Sequence, residues 1–357
     1  MYINFVIGTK AQFIKCIPLI NEFITSGVNI RLYDLKQHSK ITSNLKQKIN
    51  KGYEYIEYSK NSQDIGTYGG LLRWFINSFI KVLFSTDKNI ESSYCFVHGD
   101  TISTLIGTFF IKRNKGILVL LEAGHSVPGV LKHFPESIIR YISAKTADFI
   151  IATGESQITQ LKKWGVKGKI IEISRNTIYD SVTNVTLNEK ATNNVIVSIH
   201  RTENINNKSR MALLVKTLCK LDDEFNIIWH LHIPTKNMLK SHKLLNKLNK
   251  QNIHLKDLEE YDIFINKIFN SEFVITDGGG VVEECKIIGT PTLVWRNEHL
   301  DQNQIFEKSK NLFLSNYDEE DIEYFFDNYK NLKENFELTN QVSPSKEIVE
   351  ELKKLIY

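Results

Sequence analysis

Cysteine, proline and long apolar runs are all scarce in this 357-residue chain, which has four cysteines and six prolines. No pair of cysteines has CxxC or zinc-site spacing, which argues against a disulfide-stapled fold and a zinc module. No run of about 18 apolar residues occurs, so we expect no membrane-spanning helix. Residues 1–8 lack the basic start and cleavage site of a signal peptide, and we predict a cytoplasmic protein with buried thiols.

An excess of charge of one sign is also lacking, since the formal net charge is +4 and 24% of the residues are charged. The lysines of Lys236–Lys250 have leucines and no aromatic residues among them, which indicates a solvated helix face and no nucleic-acid partner. The P-loop, GxSxG, HExxH and complete GxGxxG motifs are all missing. The sequence therefore lends no support to P-loop phosphoryl transfer, serine hydrolysis or zinc proteolysis.

What the chain does have is a regular alternation of short apolar runs and longer amphipathic stretches. Apolar runs flanked by helices are typical of parallel strands buried on both faces, and the alternation predicts βαβ units in doubly wound sheets. The first half contains predicted strands at Ile3–Gly8, Val28–Tyr33, Tyr94–His98, Ile117–Leu121 and Phe149–Ala152. The second half contains predicted strands at Val195–Ser198, Asn226–His232, Ile253–Leu255, Phe273–Thr276 and Thr292–Val294.

The chain is longer than one hydrophobic core usually covers, and the pattern pauses near Ser174, so we predict an α/β protein of two Rossmann-like domains. Residues 1–174 form the first predicted domain and residues 175–334 the second. A C-terminal helix, placed at residues 335–357, is predicted to pack back on the first domain. Because doubly wound sheets bind ligands at the carboxyl ends of their strands, we predict the active site in a cleft between the domains.

The strongest local signal is the segment Asp277–Glu284, in which three consecutive glycines separate a predicted strand from a helix. Gly278, Gly279 and Gly280 let backbone N–H groups approach a phosphate without obstruction by a Cβ atom. The positive end of the helix dipole favours a diphosphate at the same place. Glu284 is then a candidate acceptor for two ribose hydroxyls. The alternative is a flexible turn followed by solvated glutamates.

Carboxylates follow two strands of the first domain and begin a nearby helix. Asp100 ends one strand, and the alternative interpretation is that it caps the next helix. Glu122 directly follows Ile117–Leu121 and is costly to bury there without a partner. Glu136 starts a helix, with Arg140 one turn later on the same face. We predict that the three carboxylates share a cleft, which would push their pKa values apart and provide an acid and a base near neutral pH.

Histidines end two strands of the second domain. His200, among the polar residues of Ser198–Asn204, is a candidate general acid or phosphate contact, with a buried core histidine as the alternative. His232 is a second candidate ligand contact. In the first domain, Lys10 ends a short Gly-Thr-Lys turn that is similar to a phosphate-facing turn.

Taken together, these segments resemble the UDP-N-acetylglucosamine 2-epimerases of the non-hydrolysing type. The family pattern reads GTR…K, QGDT, EAG and PEE..R in the first domain, then GHRREN, an HP-type strand end and DSGGIQEE in the second. The matching segments here are Gly8–Lys10 with Lys15, Gly99–Thr101, Glu122–Gly124, Pro135–Glu136 with Arg140, Ile199–Asn204, His232–Pro234 and Asp277–Glu284. The resemblance covers roughly residues 1–315.

The resemblance implies a glycosyltransferase-B-like fold and a reaction in two stages. UDP is eliminated across C1–C2 of the sugar, and it is added back after the C2 proton has returned on the other face. The implied acid–base residues are Asp100, Glu122 and Glu136, with His200 assisting the phosphate. The implied substrate contacts are Lys10, Lys15, Arg140, Arg201, His232, Gly278, Gly279, Gly280, Glu284 and Arg296. No metal or other cofactor is implied, because the reaction is redox-neutral. A homodimer and a role in surface polysaccharide synthesis are implied as well.

The chain also departs from the family pattern. Lys10 replaces an arginine and lacks its planar fork, Gly278 replaces the serine of DSGG, and Ser137 replaces the second glutamate of PEE. Residues 124–129 and Leu300–Asn303 replace the family's GLRTG and TERPE segments. A different acetamido sugar, hydrolysis to UDP and free sugar, glycosyl transfer and an inactive sensor are therefore the alternatives. Retention of all three carboxylates favours proton transfer, because a transferase needs fewer acids.

Overall fold

The computed structural model describes residues 2–38, 40–59, 65, 68–125, 135–250, 252–297, 309–334 and 342–356. The chain divides into two compact units. The first unit comprises Met1–Ser181 with Asn340–Tyr357, and the second comprises Val182–Thr339. In the described part of the chain, no helix is both long enough and apolar enough to cross a membrane.

The first unit is built on a parallel sheet. Its strands are β1 (Tyr2–Ile7), β2 (Asn29–Asp34), β3 (Tyr53–Glu57), β4 (Tyr94–His98), β5 (Ile117–Leu121), β6 (Phe149–Thr153) and β7 (Lys169–Ile173). Its helices are α1 (Lys10–Thr25), α2 (Lys40–Lys46), α3 (Tyr68–Phe84), α4 (Ile102–Arg113), α5 (Glu136–Thr146), α6 (Gly154–Trp164) and α14 (Pro344–Ile356), and α7 (Ile178–Thr183) spans the division between the units. The strand order is β3-β2-β1-β4-β5-β6-β7.

The second unit repeats the plan. Its strands are β8 (Asn194–Ser198), β9 (Asn226–His230), β10 (Ile253–Lys256), β11 (Phe273–Thr276), β12 (Thr292–Val294) and β13 (Leu312–Leu314). Its helices are α8 (Thr202–Ile205), α9 (Lys208–Leu221), α10 (Ile233–Ser241), α11 (Tyr261–Phe269), α12 (Gly279–Ile288) and α13 (Glu319–Asn328). The strand order is β10-β9-β8-β11-β12-β13, again with parallel pairing.

Both sheets are doubly wound, which confirms the predicted fold class. In each sheet the strand order reverses beside the first strand, so the switch points lie between β1 and β4 and between β8 and β11. Loops at the carboxyl ends of the strands around a switch point are where such sheets bind ligands. These loops carry Asp100, His200, Arg201 and Gly278, which the next section places in space.

The predicted strands are confirmed, although the strand predicted at Asn226–His232 ends at His230. The strands β3, β7 and β13 were not predicted from the sequence. β3 and β7 carry Lys or Glu among their apolar residues and lie at the edges of the sheet, and β13 has only three residues. Edge strands pair on one side only, so they need no continuous apolar run.

The C-terminal helix α14 packs in the first unit, against α1 and β7. Ile348, Val349 and Leu352 are buried. The backbone N–H of Ser345 donates to Asp180 at 2.8 Å, which fixes the start of the helix. The first seven residues of the predicted helix, 335–341, lie outside the described residues, and α14 begins at Pro344. The division after Ser181 falls later than the boundary placed at 174 from the sequence.

Candidate active site

Glu122 is the centre of a charged cluster in the first unit. It follows β5 directly and has a left-handed backbone (φ 55°), which is uncommon outside glycine and occurs preferentially at functional sites. Lys15 of α1 places Nζ 2.8 Å from Oε1 and 2.7 Å from Oε2 of Glu122. The Nε2 atoms of His98 and His125 lie 3.1 Å and 3.6 Å from its carboxylate oxygens. A buried ammonium group and two imidazoles thus surround one carboxylate.

This environment sets the protonation state of Glu122. Burial alone would raise its pKa, but Lys15, His98 and His125 outweigh burial and hold the pKa well below its ordinary value. Glu122 is therefore ionised at neutral pH and is not an acid with a raised pKa. The mutual repulsion of carboxylates expected from the sequence is not what governs this residue, because the ammonium group of Lys15 lies closest to it.

Asp100 forms an ion pair with Arg140. The guanidinium Nε of Arg140, on α5, donates to Oδ2 of Asp100 at 2.5 Å. The alternative in which Asp100 caps α4 is wrong, because the cap is Thr101, whose side chain accepts from the backbone N–H of Thr104. Asp100 is thus available to interact with Arg140 and with a ligand. Because His98 pairs with Leu121 in the sheet, the loops that carry Asp100 and Glu122 leave adjacent strands side by side.

Glu136 is the first residue of α5 and is exposed. In the described part of the chain nothing donates a hydrogen bond to its carboxylate. Arg140, one helical turn later, links this helix to Asp100. The adjoining Phe134 and the departure at residues 126–129 lie outside the described residues.

The start of α1 differs from the phosphate-facing turn predicted there. The backbone N–H groups of Gly8 and Thr9 both donate to Oε1 of Gln12, at 2.9 and 3.1 Å. The N–H of Lys10 donates to Nδ1 of His38 at 3.2 Å. The side chains of the chain itself therefore occupy these backbone donors. What Lys10 can offer to a phosphate is the charge of its side chain.

In the second unit, Asp277 organises two loops at the β8–β11 switch point. Its carboxylate is fully buried and accepts three hydrogen bonds from the loop after β8. The donors are the backbone N–H groups of His200 (2.9 Å) and Arg201 (3.0 Å) and Nδ2 of Asn204 (2.9 Å). Sequence reasoning selected neither Asp277 nor Asn204. Their signal was a polar pair at the ends of strands that become neighbours only in the folded sheet.

His200 is held by this loop with its ring accessible. Its side chain is 37% exposed, so the alternative of a core histidine is wrong. The ring packs against that of His232 in a tilted arrangement, with centroids 4.6 Å apart and an interplanar angle of 33°, and Nδ1 lies 3.5 Å from Oδ1 of Asp277. Burial of the loop lowers the pKa of His200, and Arg201 and Arg296 oppose the raising effect of Asp277. The imidazole is therefore mostly neutral at pH 7.

The glycine turn opens α12 without a side-chain cap, since Gly278 is the N-cap residue. Among the described residues, none accepts a hydrogen bond from the backbone N–H groups of Gly279 and Gly280. At the start of α1, by contrast, the corresponding donors are occupied by Gln12. Uncapped donors at a helix N-terminus form a site for an anion. Gly278 has a further reason to be glycine, because an added Cβ would approach Cε1 of His200 to 2.8 Å. A serine at this position, as in the family pattern, would therefore require the His200 ring to move.

Glu284 and Arg296 are both buried beside this turn. Glu284 lies in the second turn of α12, so the alternative of solvated glutamates is wrong for it. Burial, followed by the neighbouring Glu284 carboxylate and its hydrogen bond, raises the pKa of Tyr261 well above the ordinary value. Nε of Arg296 donates to the carbonyl oxygen of Asp277 at 3.0 Å, which braces the backbone of the turn. Arg201, by contrast, pairs with Glu203 at 3.1 Å and is partly exposed.

The two units carry different chemistry. The first has an ionised carboxylate beside an ammonium group and two imidazoles, and a second carboxylate paired with arginine. The second has an uncapped helix N-terminus beside a neutral imidazole. Among the described residues, no three His, Cys, Asp or Glu side chains are grouped to hold a metal ion. A cluster of ionisable side chains in one unit and open backbone donors in the other, at the strand ends of doubly wound sheets, are typical of α/β enzymes that bind anionic, nucleotide-type ligands.

Comparison with known proteins identifies the family. The family model for UDP-N-acetylglucosamine 2-epimerase matches residues 28–346, and the chain belongs to this family of isomerases. It is similar to the UDP-N-acetylglucosamine 2-epimerase of Methanocaldococcus jannaschii, with 25% identity over 88% of each chain. It is also similar to the Bacillus subtilis protein of the same name, with 24% identity over 97% of this chain and 93% of that one.

Solved structures share the fold. The crystal structure of the M. jannaschii enzyme in complex with UDP-GlcNAc and UDP has a TM-score of 0.80 at 22% identity, over 99% of this chain and 100% of that one. The Neisseria meningitidis enzyme bound to UDP-GlcNAc has a TM-score of 0.78 at 20% identity, again over 99% and 100%. These likenesses confirm the predicted glycosyltransferase-B-like fold.

Proposed function

We propose that this enzyme interconverts the C2 epimers of a UDP-linked 2-acetamido sugar, of the UDP-GlcNAc and UDP-ManNAc type. The observation that carries the proposal is the ionised Glu122, paired with Lys15 and His98 at the carboxyl end of β5. The relatives that share the family are named for this reaction. A general base must be unprotonated at the pH of the reaction and held in position, and Glu122 meets both conditions.

The reaction breaks the C2–H bond and the C1–O bond to UDP, and then forms both bonds again with the configuration at C2 inverted. A base removes the proton from C2 as the bond from C1 to the UDP oxygen breaks, which leaves an unsaturated sugar and UDP. A proton then returns to C2 on the opposite face, and the UDP oxygen bonds to C1 again. Because the two faces of C2 need separate proton groups, more than one carboxylate is required. We assign these roles to Glu122, Asp100 and Glu136, with Arg140 orienting Asp100.

The second unit holds the leaving group in this proposal. Negative charge grows on the diphosphate as the C1–O bond breaks, and the N–H groups of Gly279 and Gly280 with the dipole of α12 stabilise it. His200 lies beside the turn and, in its protonated imidazolium form, donates a hydrogen bond from Nε2 to the same phosphate. Glu284 accepts hydrogen bonds from the ribose hydroxyls and retains its hydrogen bond with Tyr261, since a carboxylate can accept several hydrogen bonds at once. Lys10 adds a positive charge.

The direct test is incubation of the protein with UDP-GlcNAc in deuterated water, followed by NMR. We expect deuterium at C2 of a sugar that still carries UDP, together with the signals of the 2-epimer. Release of free sugar and UDP would indicate the hydrolysing reaction instead. An unchanged substrate that reacts only when an acceptor sugar is added would indicate glycosyl transfer and would overturn the proposal.

We further propose that the enzyme acts in the cytoplasm and supplies surface polysaccharide synthesis. All four cysteines are free thiols, and Cys16, Cys95 and Cys285 are buried. Free thiols are typical of proteins from reducing compartments. A nucleotide-linked acetamido sugar is an activated donor, which suits assembly of a polymer.

We also propose that the enzyme is a homodimer that pairs through α3. In the described part of the chain, this helix leaves Leu72, Ile76, Ile80 and Leu83 exposed at helical spacing. Phe109 of α4 extends the same patch, with its ring 5.5 Å from that of Phe79. Monomeric proteins rarely expose an apolar patch of this kind, and a two-fold axis covers it with an identical patch.

The double variant Ile76→Glu with Ile80→Glu is expected to be monomeric. Dimerisation would bury four unpaired carboxylates, so we expect the dissociation constant to rise by about 100-fold or more. Light scattering after size-exclusion chromatography measures the mass directly. The control is Ile263→Glu, an exposed isoleucine on α11, which should leave the dimer intact. A monomeric wild type, or a double variant that stays dimeric, would contradict this interface.

A further inference from the structure

Asn204 is a fully buried side chain whose hydrogen-bonding capacity is used throughout. Its Nδ2 donates to Oδ2 of Asp277 at 2.9 Å and to the carbonyl oxygen of Trp295 at 3.0 Å. Its Oδ1 accepts from the hydroxyl of Tyr317 at 2.9 Å and from Nη1 of Arg210 at 3.5 Å. The amide therefore cannot rotate without breaking several bonds. It links Tyr317, which follows β13, to the carboxylate that holds the His200 loop.

Tyr317 reaches Asn204 from an unusual backbone. Asn316 and Tyr317 are consecutive non-glycine residues in the left-handed region, with φ of 45° and 57°. Such residues are strained and persist only where the surroundings enforce them. The N–H of Asn316 donates to the carbonyl oxygen of Arg296 at 2.8 Å, and its Nδ2 donates to Asp321 at 2.9 Å. These bonds keep the strained turn in place.

The ring of Tyr317 is enclosed from two sides. Its centroid lies 6.1 Å from that of Trp295, and the guanidinium of Arg210 lies 4.0 Å from it. Burial raises the pKa of Tyr317 to about 12, so the hydroxyl remains a donor at neutral pH. The ring packing does not depend on the hydroxyl. Removing the oxygen alone therefore separates the hydrogen bond to Asn204 from the packing.

We propose that Tyr317 is a positioning residue for His200, acting through Asn204 and Asp277. The hydroxyl fixes the amide of Asn204, the amide fixes one oxygen of Asp277, and the other oxygen faces Nδ1 of His200 at 3.5 Å. The imidazole then presents Nε2 away from Asp277. The inference rests on the proposed function, in which His200 meets the leaving phosphate.

The pKa of His200 is a measure of the contacts that link Tyr317, Asn204 and Asp277 to its ring. Asp277 and His232 contact the ring, and the charges of Arg201, Arg296 and Glu203 also act on its pKa. When Asn204 donates to Asp277, it shares the negative charge of the carboxylate and weakens its pull on a proton at His200. Loss of the Tyr317 hydroxyl loosens that donation, so the pKa of His200 should rise.

The test is Tyr317→Phe, with the histidine Cε1–H signals followed by NMR as pH is varied in the absence of substrate. We expect the pKa of His200 to rise by about half a unit. We expect kcat for C2 exchange to fall about 10-fold with little change in KM, since only the positioning of the leaving-group contact is lost. A His200→Gln spectrum assigns the signal. The matched control is Tyr324→Phe, an exposed tyrosine on α13 outside this network, which should change neither quantity.

A second variant, Asn204→Ala, should raise the pKa of His200 at least as far. An unchanged His200 titration in Tyr317→Phe would overturn the inference, even if the variant were less stable, because a structural role alone would not move the titration. The NMR readout needs no turnover. If the wild type failed to exchange C2 while the titration shifted as expected, the proposed function would fall and the positioning role would stand.

Discussion

The Glu122→Gln variant is expected to lose C2 deuterium exchange by about 10³-fold, since a positioned base contributes 10²- to 10⁴-fold. The amide has nearly the same shape as the carboxylate but cannot take a proton from carbon. UDP affinity, measured by calorimetry, should stay within about threefold, because the diphosphate donors lie in the second unit. The control is Glu54→Gln, which removes an exposed carboxylate paired with Arg31. Exchange within tenfold of the wild type would remove Glu122 from the mechanism.

The same variant should be less stable at neutral pH. The pKa of Glu122 is lower in the folded chain than in the unfolded one, so its ionisation stabilises the fold above the unfolded value of about 4.3. That contribution disappears as pH falls through the folded pKa. In Glu122→Gln, Lys15 also loses its counter-charge, at a cost of about 3 kcal/mol. Urea unfolding at pH 7 and at successively lower pH should show the two proteins converging in acid.

The Asp277→Asn variant is expected to lower the free energy of unfolding of the second unit by about 3 kcal/mol. Both carboxylate oxygens accept from N–H groups of the His200 loop, and an amide would place its own NH₂ against one of these donors. The released loop also carries His200, so we expect UDP binding to weaken by at least 10-fold.

Urea unfolding followed by tryptophan fluorescence measures this change, because Trp229 and Trp295 are fully buried in the second unit. The control is Asp223→Asn, an exposed aspartate after α9. A variant with wild-type stability and UDP affinity would show that the loop keeps its position without Asp277. In that case the chain of contacts from Tyr317 to His200 would also need another route.

Much of the fold could be predicted because its signals are local. The run Ile117–Leu121 is apolar throughout, and such a continuous short run is typical of a strand whose two faces are both buried. The strand β3, which reads Tyr-Glu-Tyr-Ile-Glu, lacks such a signal because it pairs at an edge, where charged side chains remain in water. The site residues next to strand ends followed from the same logic, since ligands bind where doubly wound strands end.

The chemistry of those residues followed less well from local signals. From the three carboxylates at strand and helix ends we predicted mutual repulsion. Instead, the protonation state of Glu122 is set by Lys15, which lies 107 residues away along the chain. The turns before α1 and α12 both looked suited to phosphate. Gln12 occupies the donors of the first, and the second is left open.

The order of apolar runs, glycines and strand-end polar residues was therefore sufficient for the α/β class and the doubly wound sheets, and the resemblance of the motifs to known epimerases indicated the family. Which side chains meet was decided by packing, because hydrogen bonds and ion pairs depend on distances between segments that lie far apart along the chain. Asp277, Asn204 and Tyr317 look ordinary one by one. They become a connected network only when β8, β11 and the turn after β13 meet at one edge of the sheet.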